Sequence, residues 1–220
     1  MTVLKTKLVR TASDVESRLA NFGVKKADVV KIALSSLGAR NDSVLDDPRT
    51  ARGQFSYIYG VRTMRQVFAP AGYERVSKQN IESVYHAAMA LKIMFQTVDM
   101  ACIESQVPQA ISEIGAGKET VIENAQRQLY LFAHMQADEE KKHGALTAFD
   151  KAEAWYLCTA FVNGSVSCEL SRPRGVVEKQ FSEFFERIFI LRDGEGGSSG
   201  LLNLDDDAPR IEIKPIVLKR

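Results

Sequence analysis

Arginine and aromatic side chains are interleaved along residues 49–78, a combination suited to binding nucleic acid. Cationic side chains neutralise phosphates, while aromatic rings and guanidinium planes stack on exposed bases. The planar guanidinium also binds phosphates and carboxylates through two parallel hydrogen bonds. The stretch contains a single acid, Glu74. The candidate binding residues are Arg49, Arg52, Tyr57, Tyr59, Arg62, Arg65 and Arg75.

Two other interpretations of residues 49–78 remain open. Arginine, tyrosine and phenylalanine are enriched in protein interfaces, so a partner protein is a second candidate ligand. A half-buried helix, with its aromatic rings in the core and its arginines in solvent, has the same composition. We therefore expect a non-catalytic binding protein, either associated with nucleic acid or a subunit of a multiprotein assembly.

The string Glu212-Ile213-Lys214 suggests an alternative function, a small metal-dependent nuclease. Glu212 and Lys214 are two residues apart, so on a strand they share a face. With an aspartate nearby in space they could hold Mg²⁺ and position an attacking water. In the competing interpretation, Ile211 and Ile213 face the core while Glu212 and Lys214 face water. Since no aspartate is singled out by spacing, we expect no metal site, no cofactor and no catalytic residue.

A glycine-rich string, Gly115-Ala116-Gly117-Lys118, resembles part of a phosphate-binding loop. The full pattern requires glycine at position 112 and Ser or Thr at position 119, where this chain has Ser112 and Glu119. A weaker form of the idea is that the backbone N–H groups before a helix bind an anion. The alternative is an ordinary loop that leads into a helix.

The composition is that of a globular protein: 45% of the residues are hydrophobic, 26% are charged, and the net charge is +1. The three cysteines form no CxxC pair, which favours a reducing compartment. We expect a cytoplasmic protein that does not contact membranes. A structural role in a homo-oligomer remains a third alternative.

The expected fold class is α+β, in one domain over residues 1–220. An alternative is that this single domain includes a helical N-terminal part over about residues 1–38. The expected sheet is small and antiparallel, and consists of a hairpin over about residues 155–171 and a C-terminal strand over about residues 211–218. Several helices are expected to pack against it.

The hairpin prediction rests on Asn163-Gly164, the preferred sequence of a two-residue type I′ turn. Such a turn pairs residues whose numbers sum to 327, and so places Cys158 and Cys168 on opposite faces. One face is apolar and the other, which carries Glu169, is more polar, which predicts a sheet buried on one side. The predicted pairs are Leu157 with Leu170, Thr159 with Cys168, and Phe161 with Val166.

A capping box at residues 13–16, followed by Gly23, predicts a short helix over about residues 13–23. Helical spacing of apolar residues predicts further helices over about residues 26–37, 119–143 and 178–191. The last of these rests on the spacing of Phe181, Phe184, Phe185, Ile188 and Phe189. For residues 81–102 the sequence leaves two structures open, a helix and a pair of strands.

Overall fold

A computed structural model describes residues 5–131 and 147–195. The elements within these ranges are β1 (Lys7–Val9), α1 (Ala12–Ala20), α2 (Lys26–Asn41), α3 (Ala51–Phe68), a 3₁₀ turn (Ala69–Ala71), β2 (Glu74–Lys78), β3 (Ile81–His86), β4 (Leu91–Val98), α4 (Ala116–Leu131), α5 (Ala148–Lys151), β5 (Glu153–Val162), β6 (Ser165–Val177) and β7 (Gln180–Leu191).

The seven strands form one mixed sheet in the order β1-β7-β6-β5-β4-β3-β2. The pairs β1–β7 and β4–β5 are parallel and the other four are antiparallel. The predicted α+β class is confirmed, but the small antiparallel sheet is wrong. The sheet is larger because the segment predicted as a helix over residues 178–191 is a strand, and the undecided segment over residues 81–102 contains two strands. The expected strand over residues 211–218 lies outside the described residues.

The hairpin β5–β6 has the predicted register, with Leu157 opposite Leu170 and Thr159 opposite Cys168. Asn163 and Gly164 have φ of 49° and 79°, the left-handed values that a type I′ turn requires. Cys158 and Cys168 belong to separate core clusters on opposite faces, and both are free thiols.

The helix expected over residues 178–191 is wrong, because this segment is β7. Register shifts along β6–β7 leave Ser182 without a residue opposite it, between the pairs of Glu183 and Phe181. Each such bulge adds a residue to the strand and breaks the alternation of period two. Phe181 and Phe184 therefore share a buried cluster although they are three residues apart. This spacing imitates a helix.

Residues 81–102 contain the strand pair β3–β4, the second of the two structures left open, joined by a turn over residues 87–90.

Both faces of the sheet are covered, so the prediction of a sheet buried on one side is wrong. Helices α1, α2 and α3 pack on one face, around Trp155 and Phe95. The start of α4 and residues 101–114 pack on the other, around Tyr156 and Phe181. Covering the second face buries residues that the sequence assigned to a more polar surface, including Glu169, which is 0% exposed.

Within residues 5–131 and 147–195, every helix is too short or too polar to cross a lipid bilayer.

Candidate nucleic-acid interface and adjoining cleft

Helix α3 carries most of the predicted binding residues. Ser56, Gly60 and Met64 are buried at four-residue spacing, so this side of α3 faces the sheet. The approach is close, because a Cβ added at Gly60 would lie 2.5 Å from Cζ of Phe95. The exposed residues of α3 include Arg52 in its first turn and Ile58, Tyr59 and Arg62 further along the helix.

A cleft of about 370 Å³, here called the α3 cleft, lies between α3 and the strands β2 and β3. It collects four of the predicted residues, because β2 and β3 run beside the helix. Burial raises the pKa of Tyr57, and the nearby Glu82 carboxylate adds to this effect. The lining residues are Tyr57, Ile58, Val61, Arg62, Arg65, Gln66, Arg75 and Glu82.

Arg65 differs from the other predicted arginines because an acidic side chain, Glu82, neutralises its charge. Its guanidinium forms an ion pair with Glu82 and donates to the Ser77 hydroxyl at 3.1 Å. Arg65 thus ties α3 to β2 and β3. By contrast, Arg52, Arg62 and Arg75 form no ion pair with any residue that the structure describes.

Arg62 lies over the ring of Tyr59, with its guanidinium carbon 4.4 Å from the ring centroid. Tyr59 is 40% exposed, so the pair presents a guanidinium and an aromatic ring to solvent together. Arg49 is exposed in the loop before α3 and lines neither cleft.

A second cleft, of about 760 Å³, lies at the carboxyl end of β4 and is here the β4 cleft. Tyr57 lines both clefts, which are therefore adjacent. The lining residues are Arg40, Thr50, Gly53, Gln54, Tyr57, Asn80, Gln96, Thr97, Val98, Asp99, Ile111, Ser112, Lys118 and Phe161.

The backbone explains why a cleft forms there. β4 continues to Val98, past the start of β3 at Ile81. Beyond that point Val98 bridges to Ala110, and the Ile111 N–H donates to the Thr97 carbonyl at 3.0 Å. The segment 109–111 therefore pairs with the end of β4, and the cleft opens where it adjoins the turn before β3.

Lys118, in the first turn of α4, points its ammonium group inward. Nζ donates to Oε1 of Gln96 at 2.6 Å, and Gln96 is 3% exposed. Burial lowers the pKa of Lys118. No carboxylate among the described residues forms an ion pair with it. The glycine-rich string of the sequence therefore ends in a cationic side chain directed into the cleft.

Arg40, at the end of α2, supplies a second cation. Its guanidinium carbon lies 5.1 Å from the centroid of the Phe161 ring at the hairpin tip. The pKa of Arg40 is lowered by partial burial and by repulsion from Arg52. Arg40 too forms no ion pair with the described part of the chain.

Among the described residues, Asp99 is the one acid that lines the β4 cleft. Its Oδ1 accepts hydrogen bonds from the backbone N–H groups of Met100 and Gln109, at 2.7 and 2.8 Å. These bonds fix the carboxylate and hold the two ends of the 100–109 loop together.

The sequence missed most of the β4 cleft. Lys118 carried a signal, the glycines before it, whereas Arg40, Gln96, Asp99 and Phe161 carried none. Arg40 belongs to α2, Gln96 to β4 and Phe161 to β5, and Asp99 directly follows β4, so only the tertiary structure brings them to one cleft.

The buried ion pair between Glu169 and Arg187 has a structural role. Two hydrogen bonds of 2.7 and 2.8 Å join the side chains, which are 0% and 4% exposed. Arg187 also donates to the carbonyls of Ile103 and Gln106, at 3.0 and 2.8 Å, and Glu169 accepts from the Cys102 N–H. Because these groups satisfy one another, the pair anchors residues 102–106 to the sheet.

Lys92 is a second buried charge, 0% exposed. Its ammonium donates to the carbonyls of Phe149 and Asp150, at 2.8 and 3.2 Å. Burial lowers its pKa to about 8, although the Asp150 carboxylate opposes the shift, and Lys78 adds to it. Lys92 thereby holds the short helix α5 against the sheet.

The alternative nuclease residues, Glu212 and Lys214, lie outside the described residues. Among residues 5–131 and 147–195, no three His, Cys, Asp or Glu side chains form a group able to hold a metal ion. The chain matches no protein-family model, no curated protein and no solved structure.

Proposed function

We propose that this protein binds single-stranded nucleic acid along the exposed side of α3 and the adjoining α3 cleft. The observation that carries the proposal is the lack of acidic partners for Arg52, Arg62 and Arg75 within the described residues. Unpaired arginines on one surface attract a polyanion, and binding releases the counterions that the polyanion carries.

The aromatic residues favour a single strand. Tyr59 is exposed, and Tyr57 is half-buried in the wall of the α3 cleft. Each base of a single strand has a free face that can stack on such a ring, whereas the bases of a duplex stack on each other. The Arg62–Tyr59 pair provides a cation for a phosphate beside a ring for a base.

The test is the binding of a fluorescently labelled oligonucleotide, measured by anisotropy at several salt concentrations. Affinity should fall steeply with salt. The double variant Arg62→Ala/Arg75→Ala should reduce the slope of log K against log salt by about 1.4, or about 0.7 for each phosphate that is no longer neutralised. The matched control is Lys31→Ala/Lys151→Ala, which removes two exposed cations that line neither cleft and should keep the slope.

Stacking is tested separately with Tyr59→Phe and Tyr59→Leu. The phenylalanine variant keeps the ring and should bind nearly as well as the wild type. The leucine variant should bind about 5- to 160-fold more weakly, since stacking on one base contributes about 1–3 kcal/mol. Absence of oligonucleotide binding, or binding that does not respond to salt, would count against the proposal and in favour of a protein ligand.

A further inference from the structure

The β4 cleft has the size and composition of a small-ligand site. Its volume of about 760 Å³ falls within the range of about 300–1,000 Å³ found for such sites. Of the residues that the structure describes, two cations, Arg40 and Lys118, line it together with one acid, Asp99. Tyr57 and Phe161 supply aromatic walls.

The environment of Lys118 favours an anionic ligand. An ammonium group has three N–H donors, and among the described residues Nζ donates only to the uncharged amide oxygen of Gln96. Removing a charge from water is costly unless an opposite charge compensates it. A phosphate in the cleft would provide that charge and would accept the remaining donors.

Arg40 adds to this preference. Its charge lies close enough to Arg52 for the two to repel each other, so the edge of the cleft carries excess positive charge. Binding of an anion would relieve that repulsion. The Arg40 guanidinium lies over the Phe161 ring, and this contact helps to hold the guanidinium in place.

Asp99 suits a different part of the ligand. Its Oδ1 is occupied by two backbone N–H groups, whereas Oδ2 has no hydrogen bond to a described residue. A free carboxylate oxygen accepts a hydrogen bond from a sugar hydroxyl and repels a phosphate. A ligand with a phosphate, hydroxyl groups and an aromatic ring would match all three types of group in the lining.

We propose that the β4 cleft binds a nucleoside phosphate, with the phosphate at Lys118 and Arg40, a sugar hydroxyl at Asp99, and the base against Tyr57 and Phe161. A free nucleotide and the phosphorylated end of a strand share this chemistry. Binding of a strand end rests on the proposed function, because the strand would continue from this cleft onto α3. Binding of a free nucleotide does not depend on it.

The first experiment compares adenosine 5′-monophosphate, adenosine and inorganic phosphate by isothermal titration calorimetry. The monophosphate should bind at least tenfold more tightly than adenosine. Lys118→Gln should remove most of this difference, since one hydrogen bond to a charged group contributes about tenfold or more in affinity. Arg62→Ala/Arg75→Ala should leave the difference unchanged, because those residues lie outside the β4 cleft.

The second experiment compares one oligonucleotide with and without a terminal phosphate, at the 5′ end and at the 3′ end. Preference for a phosphorylated end, removed by Lys118→Gln, would identify a strand end as the ligand. Binding of the free nucleotide without oligonucleotide binding would support this site and contradict the proposed function. Salt-dependent oligonucleotide binding with no preference for phosphate in either experiment would support the proposed function and contradict this site.

The site is refuted if adenosine and its monophosphate bind equally well, if neither the monophosphate nor a phosphorylated strand end binds, or if Lys118→Gln retains the preference for phosphate. Folding of each variant is checked by circular dichroism. Should Lys118→Gln fail to fold, Arg40→Gln serves as the second variant. Arg40 is only partly buried, and its loss should also weaken the preference for phosphate.

Discussion

The substitution Arg187→Met tests how residues 102–106 are held on the sheet. Arg187 makes two hydrogen bonds to Glu169 and one to each of the Ile103 and Gln106 carbonyls. Methionine has a similar length but no charge and no donor. The variant would leave Glu169, which is 0% exposed, as a buried charge without its cation.

The expected loss of unfolding free energy is about 3–5 kcal/mol, the usual cost of removing one partner from a buried ion pair. Most of this cost is the desolvation of the remaining Glu169 carboxylate. Its hydrogen bonds from Ser171 and from the Cys102 N–H remain, but they do not neutralise the charge. Two backbone carbonyls also lose their donor.

Urea unfolding followed by tryptophan fluorescence measures this loss. Trp155 is the only tryptophan, and it is 1% exposed within the core, so its emission reports on unfolding. The matched control is Arg10→Met. Arg10 also forms an ion pair with a glutamate of the loop, Glu104, but both side chains are more than half exposed. An exposed pair contributes little, so this variant should remain close to wild type.

The double variant Glu169→Leu/Arg187→Met shows how much of the lost stability comes from leaving the Glu169 charge buried without its partner. Since both charges are removed, part of the lost stability should return. Hydrogen exchange should also quicken at the Cys102 amide in Arg187→Met, because Arg187 no longer holds the following residues to the sheet through the Ile103 and Gln106 carbonyls. The reasoning is wrong if Arg187→Met costs less than about 1 kcal/mol, as an exposed pair would, or if the double variant is no more stable than the single one.

Three further predictions concern single positions. Since burial lowers the pKa of Lys92 to about 8 from its ordinary 10.5, the unfolded chain binds the proton more tightly, and wild type should gain stability relative to Lys92→Met as pH rises between these values. The gain should be on the order of 3 kcal/mol, and a pH-independent difference in urea unfolding would refute it. Gly60→Ala should lower stability by about 1–3 kcal/mol through overlap with Phe95, whereas Gly53→Ala, which meets nothing within 4 Å, should not lower it; equal melting temperatures would contradict the close packing. Gly164→Ala should cost about 1–2 kcal/mol because φ there is +79°, and an unchanged melting temperature would show that the turn is not held in this conformation.

Features that depend on neighbours in sequence were predictable. The Asn163-Gly164 turn favours a single loop geometry, and that geometry fixes which residues pair across the hairpin. The beginnings of α1 and α2 were also close to their predicted positions, since capping groups and apolar spacing act over a few residues. Arg62 and Tyr59 are three residues apart, so a helix over this segment places them about one turn apart and side by side.

Features that depend on distant strands were not predictable from these patterns. Bulges in β7 can be recognised only against β6, so the phenylalanine spacing was interpreted as a helix. Glu169 was assigned to a polar face, because nothing near it in sequence indicates that Arg187 would neutralise it and that residues 101–114 would cover it.

The tight hairpin and the first helices follow from the amino-acid sequence alone, because turn geometry, capping and helical periodicity act over a few residues. The mixed sheet, the neutralisation of Arg65 by Glu82, and the meeting of Arg40, Asp99 and Lys118 in one cleft depend on the three-dimensional fold. Strand order and layer packing bring these groups together across long separations in sequence. Side-chain type alone does not specify which distant partner, or which cleft, a residue meets.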